Sequence, residues 1–112
     1  MNYNVYVIEL DKEFGELNKA KKANPLRNPQ KPYVYVGYTS KTPKNRFDQH
    51  MSGKPGIKGY KLSSSVVYKY GIRLMPELYE EYNPISSKVE AKEMEIFLAE
   101  KLRIRGYTVW QK

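Results

Sequence analysis

Residues 33–50 read YVYVGYTSKTPKNRFDQH, and this stretch decides the fold of the chain. Its first six residues alternate and are rich in Tyr and Val, which predicts a β-strand. Thr42 and Pro43 then favour the start of a helix, because Thr is a good N-cap and Pro lacks only an amide hydrogen that the first turn does not use. We therefore expect a strand followed by a helix that stops at Gly53.

The flanking segments extend this unit to an α+β domain. In chain order they are a strand at residues 2–10, a short helix at 64–70, a strand at 78–82, a long helix at about 88–105 capped by Ser86 or Ser87, and an extended piece at 107–110. The order β-β-α-α-β-α predicts a small, mainly antiparallel three-stranded sheet flanked by helices.

Length and composition narrow the function classes. The chain has 112 residues, which is enough for one domain spanning residues 1–112. It has no Cys and one His, so disulfides, zinc thiolate centres and multi-histidine metal sites are excluded. No run is long enough to cross a membrane, and the N-terminal residues do not resemble a signal peptide. A cytoplasmic location is the expectation by default.

The positive charge is concentrated in one half of the chain. The formal net charge is +8, and residues 11–61 hold 12 Lys or Arg against four Asp or Glu. Residues 62–112 are nearly balanced, with eight basic and seven acidic residues. This concentration of positive charge suits a polyphosphate partner. A charge that serves only solubility would be spread more evenly along the chain.

Residues 11–32 separate the first two predicted strands, and we expect them to form a long basic loop with a helical turn near 13–22. They hold six basic residues against three acidic ones, a composition that we expect to form no core. The candidate nucleic-acid contacts are Lys19, Lys21 and Lys22 in this loop and Lys54, Lys58 and Lys61 in the later glycine-rich loop. The alternatives are a disordered solvated loop and a contact to another protein.

Two helices carry candidate site residues. Arg46 and His50 are four residues apart on the first helix, so they share one helix face, although such a pair is also typical of a solvated surface. On the last helix, Glu95 falls within the apolar stripe, and Glu93 points the other way. A carboxylate in an apolar setting needs a compensating cation, which is either a metal ion or an Arg, unless its head group reaches water at the margin of the stripe.

These residues together resemble the GIY-YIG nuclease superfamily. The matching positions are residues 4–6 and 35–37 for the two strand tripeptides, Arg46 and His50 on the first helix, and Ala91 followed by Glu95 on the last helix. The resemblance covers most of the chain in the right order, and residues 33–50 are its most specific part. Asn4 stands where the family has Gly, and the 11–32 loop is an insertion into a hairpin that is usually much shorter.

The resemblance implies a metal-dependent endonuclease that hydrolyses phosphodiester bonds in DNA. Tyr6 is expected to act as the general base or to assist it. A neutral Tyr needs a nearby cation or a proton acceptor for this role, and His50 and the metal are the candidates. Arg46 is expected to clamp the non-bridging oxygens, and Tyr35 to orient its neighbours. Glu95 is expected to bind one Mg²⁺ or Mn²⁺ ion per site, which stabilises the leaving group.

Two other functions stay open on the sequence. One is a catalytically inactive module of the same fold that binds nucleic acid, and the other is a basic interaction protein without a nucleic-acid role. For an active enzyme the expected substrate is double-stranded or branched DNA. One metal site cuts one strand, so a double-strand break needs a homodimer or two visits.

Overall fold

The computed structural model describes residues 2–52 and 65–111, and it confirms an α+β domain. Its four strands form one mixed sheet in the order β3-β1-β2-β4. They are β1 (Asn4–Leu10), β2 (Tyr33–Thr39), β3 (Gly71–Leu74) and β4 (Thr108–Gln111). β1 pairs antiparallel with both β2 and β3, and β4 pairs parallel with β2.

Helices lie against this sheet, and the two longest begin at capping signals of the sequence. They are α1 (Asn18–Ala23), α2 (Pro43–Ser52), α3 (Ser65–Tyr70) and α4 (Lys88–Ile104). The Thr42 hydroxyl accepts the amide hydrogen of Asn45 at 3.1 Å at the start of α2. The Ser87 hydroxyl does the same for Glu90 at the start of α4. Both caps satisfy amides that a helix leaves unpaired at its N-terminus.

The predicted third strand at residues 78–82 is wrong. Residues 76–82 form two 3-10 turns, Pro76–Leu78 and Glu80–Tyr82, and the third strand is instead β3. Pro76 has no amide hydrogen, which a strand ladder needs but the first position of a helical turn does not. It therefore favours a turn over a strand at this point. The strand β3 itself gives little signal, since Ile72 and Arg73 are both exposed and its four residues show no alternation.

The expected number of strands is also wrong, because β4 adds a fourth strand beside β2. The backbone reaches it through Gly106, whose φ of 92° lies in the left-handed region that favours glycine. β4 then runs back parallel to β2, with Val109 opposite Val34 and Trp110 opposite Tyr35. The sheet is therefore mixed rather than antiparallel throughout.

Residues 11–32 are not the coreless loop that their charge predicts. They form a 3-10 turn at Lys12–Glu16 and the helix α1, and Phe14 and Ala20 are fully buried. Phe14 packs edge-on against Tyr70 and Trp110, with ring centroids 5.9 and 6.0 Å apart. Two or three well-placed apolar side chains are enough to dock the segment, whereas its lysines remain on the outside.

The side chain of Asn24 holds this segment to the free edge of β4. Its amide oxygen accepts the Val109 amide hydrogen at 2.7 Å, and its amide nitrogen donates to the Val109 carbonyl at 2.9 Å. The side chain thereby takes the place of a neighbouring strand and satisfies buried backbone groups. Within the described residues, no helix is long and apolar enough to span a membrane.

Candidate active site

The register of the β1–β2 hairpin brings two tyrosines to one face of the sheet. Tyr6 lies opposite Gly37, and Ile8 lies opposite Tyr35. Because side chains two residues apart on a strand share a face, Tyr6 and Tyr35 are diagonal neighbours. Their ring centroids are 6.2 Å apart, and both side chains are almost completely buried.

Gly37 makes the space that the Tyr6 hydroxyl occupies. A Cβ atom at residue 37 would lie 2.6 Å from the Tyr6 hydroxyl oxygen and 3.2 Å from the ring of Tyr35. Both rings are closely packed, so neither can move aside cheaply. The sequence suggested this glycine only as part of a tripeptide, and its steric role becomes visible only with the hairpin register.

Helix α2 carries His50 onto the same face. The Nε2 atom of His50 lies 2.9 Å from the Tyr6 hydroxyl, and His50 is fully buried. Its ring also packs edge-on against Tyr35, with centroids 5.6 Å apart. The predicted trio of Tyr6, Tyr35 and His50 is thus brought together, although 44 residues separate Tyr6 from His50.

Arg46 joins this group one helical turn earlier. It is half-buried, and one of its guanidinium nitrogens donates to the side-chain oxygen of Gln49 at 3.1 Å. Its positive charge also lies close enough to Tyr6 to lower the pKa of that hydroxyl. Gln49 was not among the expected site residues, and it orients the guanidinium from three residues along the same helix.

The Tyr6 hydroxyl is held in its neutral form. Burial raises the pKa of Tyr6 far above its usual value, and electrostatic coupling to Tyr35 and to the Glu95 carboxylate raises it further. The positive charge of Arg46 lowers the pKa but does not cancel the effect of burial. A proton can therefore leave this hydroxyl near neutral pH only if a neighbouring base accepts it at the same time.

Glu95 lies on the inner face of α4, as the apolar stripe predicts. Its side chain is 5% exposed, and it sits on the face that also buries Ala91, Leu98 and Leu102. Its carboxylate is close enough to Tyr6 to affect the pKa of that hydroxyl. The five expected catalytic residues, Tyr6, Tyr35, Arg46, His50 and Glu95, consequently converge on one region of the fold.

The donor set limits the metal chemistry that this region can support. No group of three or more His, Cys, Asp or Glu side chains suited to a metal ion occurs within residues 2–52 and 65–111. One carboxylate with water in the other positions fits Mg²⁺ or Mn²⁺, which prefer hard oxygen ligands. It does not fit zinc, which protein sites hold with three or four ligands from Cys, His, Asp or Glu side chains.

A side chain distant in sequence braces β1 beside Tyr6. The Asn83 amide accepts the Val5 amide hydrogen at 2.9 Å and donates to the Val5 carbonyl at 2.8 Å. It follows the 3-10 turns and precedes a cis peptide bond to Pro84. With 78 residues between the partners, no local sequence signal could have identified this contact.

The expected DNA-contacting lysines fall into two groups. Lys19, Lys21 and Lys22 are exposed on α1, and the Lys19 ammonium lies 5.2 Å from the centre of the Trp110 ring. Lys54, Lys58 and Lys61 lie outside the described residues. The first group is held on a docked helix, so its charges are presented by a defined surface.

Comparison of the chain with protein-family models, with curated proteins and with solved structures found no match. The residues and their geometry therefore carry the functional argument.

Proposed function

We propose that the chain is a cytoplasmic, divalent-metal-dependent endonuclease that hydrolyses phosphodiester bonds in DNA, with a fold like that of the GIY-YIG superfamily. The observation that carries the proposal is the 2.9 Å contact between the Tyr6 hydroxyl and the His50 Nε2 atom, beside Arg46. A neutral hydroxyl beside a proton acceptor and a phosphate-binding cation is suited to activating water at a phosphodiester.

The hydrogen bond between Tyr6 and His50 suggests a direction for proton transfer. His50 Nε2 lies 2.9 Å from the Tyr6 hydroxyl, so it is positioned to take the Tyr6 proton. His50 accepts it at Nε2 when its own proton is on Nδ1. The phenolic oxygen then takes a proton from water as Tyr6 passes its own proton to His50. This coupling avoids a free phenolate, which burial disfavours.

Arg46 and Glu95 supply the charges for the reaction. The half-buried guanidinium of Arg46 binds the non-bridging phosphate oxygens, and Gln49 maintains its orientation. The carboxylate of Glu95 would hold the divalent ion, which when bound supplies charge stabilisation at the leaving oxygen. Tyr35 packs against both Tyr6 and His50 and keeps the two rings in place.

A second candidate is a module of the same fold that binds nucleic acid without cutting it. Tyr6 and His50 are both fully buried, which is also the pattern of a hydrogen-bonded pair with a purely structural role. The exposed lysines of α1 would provide phosphate contacts under either function. The two candidates differ only in whether bonds are cut.

A plasmid-nicking assay distinguishes them. We expect the full chain to convert supercoiled plasmid to nicked or linear forms in Mg²⁺ or Mn²⁺ and not in EDTA. Tyr6→Phe keeps the ring but removes the hydroxyl, so it should lower the rate by about 100-fold or more. The matched control is Tyr68→Phe, because Tyr68 is exposed on α3 and should leave the rate unchanged.

DNA binding measured in the same experiments tests the second candidate. Retention of plasmid by the wild-type chain without any nicking, in either metal, would establish the binding module instead. Equal losses of nicking in Tyr6→Phe and Tyr68→Phe would overturn the role of Tyr6.

A further inference from the structure

Trp110 lies beside the candidate active site, on the same face of the sheet. It is paired with Tyr35 in the parallel β2–β4 register, and the side chains of directly paired residues point to one face. On that face, Tyr35 contacts both Tyr6 and His50. Neighbouring strands are about 4.8 Å apart, so β4 lies about 10 Å from β1, which carries Tyr6. Trp110 therefore stands at the margin of the surface that would face the DNA.

The ring of Trp110 has one fixed neighbour and one movable neighbour. Phe14 is fully buried and packs edge-on against the ring, with centroids 6.0 Å apart. The Lys19 ammonium lies 5.2 Å from the ring centre. Trp110 is half-buried and Lys19 is exposed, so the ring face beneath the lysine becomes accessible when that side chain moves aside. A cation–ring contact at an exposed position is weaker than the stacking of a nucleobase on the same ring, so a base can displace the lysine.

We propose that Trp110 stacks against an unpaired nucleobase of the DNA, and that Lys19 moves from the ring to a phosphate of the same strand. The proposal rests on the proposed binding of DNA but not on its cleavage. A base within a duplex is stacked on both sides and offers no free face, so the site favours single-stranded or branched DNA over intact duplex. Every base has an aromatic face, so the contact should depend little on sequence.

Helix α1 supplies the positive charge that a strand stacked on Trp110 would need. Lys19, Lys21 and Lys22 make up half of this six-residue helix, and all three are exposed. In the parts of the chain that the structure describes, none of the three forms an ion pair with a carboxylate. An aromatic ring for the base beside lysines for the backbone is the combination that proteins use to bind single strands.

The fluorescence of Trp110 tests the stacking directly, because it is the only Trp of the chain. The full chain is titrated with an oligothymidine of about 12 nucleotides, within the usual size of single-strand sites. EDTA is present, so that no metal-dependent cleavage occurs. Stacking should quench the emission about two-fold at saturation, since a base then lies on the ring. Filter binding under the same conditions verifies that the chain is saturated.

An abasic oligomer of the same length is the matched control for charge. It keeps every sugar and phosphate but has no bases, so it should bind through the lysines and leave the emission nearly unchanged. A closed circular duplex, which has no ends, should also quench little. Equal quenching by the oligothymidine and the abasic oligomer would overturn the proposal, because phosphate contacts alone would then account for the signal. No quenching by saturating oligothymidine would overturn it as well.

Two substitutions test how much the ring contributes to affinity. Trp110→Leu keeps an apolar side chain against Phe14 but removes the stacking surface. It should weaken binding of the oligothymidine about 10-fold and binding of the abasic oligomer by less than about two-fold. Phe97→Leu is the control, because it removes a 54% exposed ring from α4 beside the exposed Glu93. It should leave both affinities unchanged, and equal losses of oligothymidine binding in the two variants would overturn the proposal.

Circular dichroism melting verifies that both variants fold, and the titrations of the wild-type chain stand without them. The nicking assay separates this proposal from the proposed cleavage. Quenching by the oligothymidine but not by the abasic oligomer, in a chain that nicks no plasmid, supports the stacking site and removes only the cleavage. Nicking by a chain whose emission does not respond to saturating oligothymidine removes only the stacking site.

Discussion

A surface helix usually buries apolar residues and exposes charged ones, and the two faces of α4 depart from this pattern in opposite ways. The inner face buries a carboxylate, Glu95, among residues such as Leu98 and Leu102. The outer face exposes Ile96 and Phe97, which most helices would bury. A buried charge costs free energy unless a cation lies near it, and exposed apolar side chains forgo the stabilisation that burial would give.

The comparison separates chemistry from solvent contact within one helix. On the inner face, the proposed role of Glu95 is to hold a divalent ion near Tyr6 and Arg46. On the outer face, Ile96 and Phe97 lie beside the exposed Glu93 and Glu100. Substitutions on the inner face should therefore alter catalysis or folding, whereas those on the outer face should alter both only slightly.

The largest expected effect is that of Glu95→Gln on DNA cleavage. Loss of the carboxylate removes the only protein charge expected to hold the divalent ion, and the rate should fall by about 1,000-fold or more. Binding to DNA should stay within about two-fold, because no phosphate contact is removed. Single-turnover cleavage and filter binding at the same salt concentration measure the two quantities.

Glu93→Gln is the control on the opposite face, since it removes the same charge from an exposed position. It should leave the cleavage rate nearly unchanged. If Glu93→Gln and Glu95→Gln lost the same activity, the distinction between the two faces would be wrong.

Folding stability gives the next largest contrast. Leu98 is 1% exposed, so Leu98→Ala should lower the free energy of unfolding by about 3 kcal/mol through lost burial and a residual cavity. Val89→Ala, at a position 68% exposed, should change the free energy of unfolding by less than about 0.5 kcal/mol. Urea denaturation measures both variants, and a loss in Val89→Ala as large as that in Leu98→Ala would place Val89 in the core.

The same helix also illustrates what the sequence can predict. The period of α4, its serine cap at residue 87 and the inward position of Glu95 are all local features, and each one is confirmed. The β1–β2 hairpin and the Arg46–His50 spacing are likewise readable from local alternation and helical periodicity. The proximity of Tyr6 to His50 follows once the hairpin register is known.

The features that sequence reasoning missed depend on contacts between distant residues. β3 is short and exposed. The extended piece at 107–110 was expected, but its place in the sheet as β4 depends on pairing with β2 and not on its own pattern. The segment 11–32 docks through Phe14 and Asn24, so its charge misled the expectation of a coreless loop. Side-chain amides that replace strand neighbours, as at Asn83 and Asn24, leave no periodic signal.

The pH dependence of stability tests how completely the inner cluster excludes water. Burial raises the pKa of Tyr6 above its unfolded value of about 10. A raised acid pKa stabilises the fold fully below about pH 10, and this contribution is lost as the pH rises further. Tyr6→Phe cannot ionise, so its stability should fall less steeply above pH 10 than that of the wild type. Urea denaturation at about pH 8 and about pH 11 measures the slopes, and Tyr68→Phe should follow the wild type.

The smallest effect is expected for substitutions of the solvent-exposed lysines on α1, which should change DNA binding only. Lys19, Lys21 and Lys22 each add about 0.9 to the salt slope of duplex binding if each contacts a phosphate. Replacing all three with Ala should lower the slope by two to three units, which is about a five-fold difference in affinity per doubling of salt. The control triple, Lys69, Lys88 and Lys92 to Ala, removes the same charge and should change the slope by less than one unit. Cleavage at saturating DNA should change in neither, because no group of the Tyr6 cluster is touched. Equal slopes for the two triples would mean that α1 adds only general charge, and the DNA surface would have to be sought elsewhere on the chain.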